Sequence, residues 1–206
     1  MRSTHLAGVS FGAAVIALSS FAWLAEPKPA EAAGTDAKPG HTAPAEKIAR
    51  GKYLVTIAGC NDCHTPLKMG PAGPEPDMSR MLSGHPETME LPPAPTLPPG
   101  PWLVTVAATN TAWSGPWGVS YTANLTPDPE TGLGKWTQRD FTDTIRTGRH
   151  MGRGRAILPP MPIPMYKHFT DQDMEAVFSY LQSIPAVKNR VPEPLPPAVA
   201  ATASTQ

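Results

Sequence analysis

The sequence is short of large aliphatic side chains. Leu, Ile, Val and Phe together supply 36 of 206 residues, below the share at which a chain readily fills its own core. It also lacks net charge. Seventeen basic and 17 acidic residues cancel, and the isoelectric point is near 7.0, which excludes a broadly basic nucleic-acid binder. Only two cysteines are present, too few for a multi-disulfide scaffold. One uncharged apolar run exists, Leu6 to Ala25, and no second, which excludes a multi-span membrane protein. Proline (27) and glycine (17) are abundant instead. Disorder requires low hydrophobicity together with high net charge, and the second condition fails. The chain therefore reads as a loop-rich domain whose centre is filled by something other than its own side chains.

The ends read as separate segments. Arg2, the run Leu6 to Ala25 and the small-x-small triplet Ala30-Glu31-Ala32 match an export signal cleaved after Ala32 or Ala33. An uncleaved N-terminal membrane anchor is the competing reading of residues 1–32, weakened by their Ala, Gly and Ser content. Residues 33–42 form a polar linker, and the Pro- and Ala-rich residues 191–206 a flexible tail. The domain is expected over residues 43–190.

Both cysteines fall in Cys60-Asn61-Asp62-Cys63-His64. This is C-x-x-C-H, the attachment signature of c-type haem. Each thiol adds to one vinyl group of the porphyrin, and two intervening residues let both sulfurs reach one ring edge. His64 then follows as the proximal iron ligand. A thioredoxin-like pair would need a βαβ context, which is absent. Structural zinc needs four ligands, and the remaining histidines are scattered. A disulfide across two residues is a poor staple. One covalently bound haem c is the expected cofactor, with Cys60 and Cys63 as thioether attachment points.

Three helices are predicted around this motif. Pro44 suits a first turn, and the run from Glu46 to Ala58 places Ile48, Gly51, Val55 and Ala58 on one face. Gly51 there permits a second helix to approach closely. A middle helix fits Thr137 to Gly148, with Phe141 and Ile145 four apart. Thr170 caps a last helix whose stripe is Met174, Val177, Phe178, Leu181 and Ile184, ended by Pro185. Between the first two helices, Thr65 to Trp136 is irregular, with one hairpin expected from Trp102–Thr109 and Trp117–Thr122. The tryptophans of the repeated Gly-Pro-Trp triplets, Trp102 and Trp117, read as core.

A haem iron with one histidine has a second axial position, and methionine there favours the ferrous state. Of nine methionines, Met161 is favoured. Prolines flank it in Pro159-Pro160-Met161-Pro162, and a stiffened loop loses less entropy on binding. Met165 is second choice and Met151 third.

Taken together, Ala45 to Pro185 resembles a class I c-type cytochrome. A narrower likeness lies in Asn124-Leu125-Thr126-Pro127-Asp128, Thr131-Gly132-Leu133-Gly134 and Trp136. That block is similar to one in cytochrome subunits of membrane-bound alcohol and gluconate dehydrogenases. The resemblance implies a mainly α cytochrome c fold, about three main helices around one covalent haem, with a long loop insertion. It implies His64 and Met161 as axial ligands, and a backbone carbonyl of Pro71 or Pro74 orienting His64. It also implies a periplasmic, non-enzymatic carrier of single electrons between redox partners, a donor dehydrogenase and an acceptor cytochrome or oxidase. The alternative is a haem-c enzyme or ligand-binding protein with an open or non-methionine sixth site. No nucleic acid is expected as a partner. The neutral total conceals an asymmetry, since residues 33–130 are acidic and 131–206 basic. Arg146, Arg149, His150, Arg153 and Arg155 cluster, suited to haem carboxylates or to an acidic redox partner.

Overall fold

The first helix, α1 (Pro44–Ile57), carries a glycine where its stripe meets the last long helix, α5 (Asp171–Ser183). A Cβ on Gly51 would stand 2.0 Å from the Ala176 carbonyl oxygen and 2.8 Å from Tyr180 Cβ. Only glycine lets the two backbones approach this closely. Around the crossing, Leu54, Val55, Met174 and Leu181 are buried. Arg50 and Asp173 close its exposed flank at 2.9 Å. The structure is a computed structural model and describes residues 44–197. The sequence readings of residues 1–43 and 198–206 lie outside that range.

Between these helices the chain forms a one-turn helix α2 (Cys60–His64), a ten-residue helix α3 (Gln138–Thr147) and a short helix α4 (Ile163–Tyr166). Thr137 caps α3 in a reciprocal capping box with Asp140, and Gly148 ends it in the left-handed region. Both positions follow the ordinary chemistry of helix termini. Thr170 caps α5 by accepting from the Asp173 amide. Phe141 of α3 meets Phe178 of α5 with ring centroids 5.5 Å apart. The three long helices α1, α3 and α5 thus share one apolar core.

The expected irregular stretch holds more strand than its composition suggests. An unforeseen hairpin pairs β1 (Leu67–Gly70) with β2 (Gly73–Pro76). A three-stranded antiparallel sheet joins β3 (Thr105–Val106), β4 (Ala112–Gly115) and β5 (Gly118–Tyr121) in that order. The expected pairing of Trp102–Thr109 with Trp117–Thr122 is not formed: Thr105–Val106 and Gly118–Tyr121 each pair instead with β4, which lies in the stretch read as their connection. Trp102 is 78% exposed, so it does not join the core. Trp117 covers Gly115, where an added Cβ would stand 2.6 Å from its ring.

The fold does not stop at Arg190. Leu195 exchanges both backbone hydrogen bonds with Val119 at 2.9 Å, extending the sheet edge. Gly118, at φ +94°, leaves room for this strand, since a Cβ there would meet the Leu195 oxygen at 2.0 Å. Residues 191–197, assigned by composition to a flexible tail, are mostly exposed but return to the sheet through the Leu195–Val119 bridge. Prolines at an edge need give up no ladder bond, so Pro194 and Pro196 on either side of Leu195 leave that bridge intact. Among the described residues, no helix is long and apolar enough to cross a membrane.

Candidate cofactor site

Gly59 takes a left-handed turn (φ 68°) and launches α2. On one helical turn, positions i, i+3 and i+4 share a face, so the motif spacing turns Cys60, Cys63 and His64 toward the same side. All three line one cavity of about 490 Å³, a volume typical of sites for large organic groups. The cysteines are unpaired with each other. Burial pushes the Cys60 thiol up to about 11 and raises Cys63 as well.

His64 is 8% exposed, and its Nδ1 lies 2.7 Å from the Ala123 carbonyl oxygen. A carbonyl only accepts, so Nδ1 carries the hydrogen and Nε2 keeps a free lone pair. Burial lowers the His64 pKa, which keeps that nitrogen unprotonated. The orienting carbonyl is thus Ala123, and neither Pro71 nor Pro74 as the resemblance implied. The reason is topological. Pro71 lies in the β1–β2 turn and Pro74 within β2, whereas the loop after β5 runs directly behind the histidine. Gly84 makes that approach possible, donating to the His64 carbonyl at 2.8 Å. A Cβ on Gly84 would clash with the Thr122 oxygen at 2.4 Å.

The loop behind His64 is fixed by buried amides. Asn124 accepts from the Thr126 amide and hydroxyl, at 3.0 and 2.7 Å, and donates to the Val187 carbonyl at 2.8 Å. Asp128 accepts from the Thr131 amide and hydroxyl, each at 2.7 Å. Asn189 accepts from Arg80 and the Glu87 amide, and donates to the carbonyls of Ser83 and His85 at 2.7 and 2.8 Å. The block that carries the narrower resemblance is therefore the scaffold of the histidine wall.

The rest of the cavity is lined by α3, α5 and the segment before α4. Phe141, Ile145, Met174, Val177 and Leu181 form its apolar floor. Met161 lines it and packs partly buried against the core, whereas Met165 is 67% exposed and outside the lining, as is Met151. Of the basic cluster, His150 and Arg155 reach the cavity, with Arg155 also 3.7 Å from Glu193. Arg146 instead pairs with Asp171 at 2.7 Å, and Arg149 and Arg153 bond carbonyls of their own loop. Trp136, at the same rim, stands edge-on to His150 at 5.1 Å.

Sequence reasoning missed Ala123, Tyr166 and the cavity-lining segment 190–194. Ala123 acts through its carbonyl, so no side-chain signal exists for it. The donor set nevertheless fits a covalently attached haem. Two thiols and an imidazole with a free Nε2 face an apolar cavity, and the Thr122 hydroxyl of its lining is buried without a partner.

The cavity defines the class of the molecule, a protein whose donor set fits a covalently held haem. A family model described as Cytochrome c matches residues 48–185, and the chain belongs to that family. Three curated relatives are similar to it. The cytochrome c subunit of alcohol dehydrogenase (quinone) from Gluconobacter oxydans (strain 621H) is 26% identical over 71% of this chain and 24% of its own length. The fructose dehydrogenase cytochrome subunit of Gluconobacter japonicus is 27% identical over 79% of this chain and 29% of its own. The gluconate 2-dehydrogenase cytochrome c subunit of Pantoea cypripedii is 28% identical over 65% and 22%. The chain thus spans less than a third of the length of each of these relatives.

Proposed function

We propose that this chain is a periplasmic monohaem c-type cytochrome that carries single electrons from a donor dehydrogenase to an acceptor cytochrome or oxidase. Cys60 and Cys63 hold the haem through thioether bonds, His64 Nε2 is the proximal ligand and Met161 the distal one. The observation that carries this reading is one apolar cavity lined by all four residues. When bound, the haem supplies an iron that alternates between ferric and ferrous states. The protein holds it out of water and fixes the imidazole through the Ala123 carbonyl, which raises ligand basicity. Met161, which lines the same cavity, would supply a thioether ligand that favours the reduced state. Residues 1–32 direct export and, if retained, tether the chain to the membrane.

The test is spectroscopic. Haem that resists acid-acetone extraction and gives a haem c spectrum in alkaline pyridine is expected, with one haem per chain by iron content. Loss of the haem on extraction refutes covalent attachment. Met161→Ala is expected to abolish the far-red methionine–iron band of the ferric protein, and Met165→Ala to keep it. The reverse result refutes the ligand choice.

A further inference from the structure

The geometry points to Tyr166 as a positioning residue that locks Met161 over the iron by bonding the methionine segment to the chain that carries the cysteines. This rests on the reading of Met161 as sixth ligand. Met161 sits in a segment with no long element of its own, and a ligand loop holds its sulfur in place only if both ends are anchored. The structure shows an anchor at each end. On the N-terminal side, the Ser120 hydroxyl donates to the Pro159 carbonyl at 2.6 Å. On the C-terminal side, the Ile163 amide donates to the Met161 carbonyl at 2.9 Å and the Tyr166 amide to the Pro162 carbonyl at 3.1 Å. Met161 and Tyr166 are therefore joined by one short, internally bonded turn.

The Tyr166 hydroxyl then donates to the Ala58 carbonyl. Ala58 is in the last turn after α1, where carbonyls have no helical partner, and it precedes Cys60 by two residues. One side chain thus connects the methionine segment to the sulfur-bearing segment on the cavity wall, and Tyr166 itself lines that cavity. Phe169 stacks on its ring at 5.6 Å, fixing its rotamer. Arg146 bonds the Lys167 carbonyl and so holds the same turn to α3. Burial pushes the phenol up to about 12, so the hydroxyl keeps its proton and its donor role throughout neutral and mildly alkaline solution.

The test uses the full-length holoprotein and Tyr166→Phe, which keeps the ring and removes only the hydroxyl. The readouts are the methionine–iron band and the affinity of the ferric protein for added imidazole, which must displace the methionine. Imidazole affinity is expected to rise about fivefold, the weight of one hydrogen bond, with a weakened band. Met161→Ala is measured in parallel and is expected to bind imidazole tightly and lack the band. If Met161→Ala behaves so and Tyr166→Phe changes only the melting temperature, the hydroxyl is a plain structural bond and the proposal is wrong. If Met161→Ala leaves band and affinity unchanged, the ligand assignment itself fails and the proposal with it.

Discussion

Replacing Gly51 by alanine sets two effects of opposite sign against each other. Alanine favours the helix by about 1 kcal/mol in an exposed interior, so on propensity alone the variant would be more stable. The α1–α5 crossing reverses this. The new methyl carbon would stand 2.0 Å from the Ala176 oxygen, 2.6 Å from its carbonyl carbon and 2.8 Å from Tyr180 Cβ, where ordinary contact begins at 3.4 Å. Two of the obstructing atoms are backbone, so no rotamer change relieves the clash. α1 must withdraw by more than an ångström at the crossing. A gap of that size forfeits roughly half of the dispersion attraction between facing atoms, and Leu54, Val55 and Leu181, each at most 3% exposed, lie beside it. Overpacking of this kind costs about 1–3 kcal/mol or more. With the gain set against the upper end of that cost, the net expectation is a loss of about 2 kcal/mol, or roughly 6 °C in melting temperature for a domain of this size. Thermal unfolding of the holoprotein followed by far-ultraviolet circular dichroism measures it. A Gly51→Ala variant as stable as the parent, or more so, would refute the close crossing.

Three further expectations follow from the loop scaffold and the caps. Asn189→Ala leaves two buried carbonyls without their donor and two part-buried donors without their acceptor, so urea denaturation should show a loss of about 3 kcal/mol. Burial holds the His85 pKa below its ordinary value, with Arg80 adding to the effect, while the Met89 carbonyl opposes it. The unfolded chain therefore takes up a proton below about pH 6.5 that the folded one resists. The stability contributed is complete above that pH and is lost as pH falls toward the folded value. His85→Gln should flatten the slope of the urea midpoint between about pH 7 and pH 5, and an unchanged slope assigns the effect elsewhere. Thr137→Ala removes the capping box of α3 and should cost about 1 kcal/mol in the same assay.

Which parts of this were legible in the sequence follows from where the information sits. Thr137, Gly148 and Thr170 act through local capping, and Gly51 was marked by its place in the apolar stripe of α1, so the three long helices were readable nearly to their ends. The spacing of Cys60, Cys63 and His64 needs only one helical turn to bring them to one face, and that too is local. The Ala123 carbonyl was not readable, because a backbone acceptor leaves no mark in the side-chain alphabet and lies 59 residues from His64. The β1–β2 hairpin was hidden by its Pro and Gly content, and the Leu195–Val119 bridge by a surrounding composition that resembles a linker. Each of these depends on which distant strand is adjacent, and periodicity carries no information about that.

The shortage of aliphatic residues acquires a physical account once the two halves of the structure are compared. The helical half follows ordinary core logic, with Leu54, Val55, Met174, Val177 and Leu181 buried together. The loop half, residues 65–133 with the return segment 187–189, buries mostly small and polar residues: Thr65, Ser83, Thr111, Thr126 and Asn189 are all fully enclosed. There Asn124, Asp128 and Asn189 tie carbonyls and amides from three separate segments. Each such bond contributes about 1 kcal/mol net, less than a buried leucine, but it is directional, and direction is what a histidine wall requires. A hydrophobic contact tolerates sliding by an ångström, whereas the Ala123 carbonyl must stay within hydrogen-bond reach of Nδ1. The low aliphatic count is therefore not only a deficit that a cofactor would fill. It reflects a division of labour in which the α1–α5 pair supplies cohesion and the polar loops supply the geometry of the site.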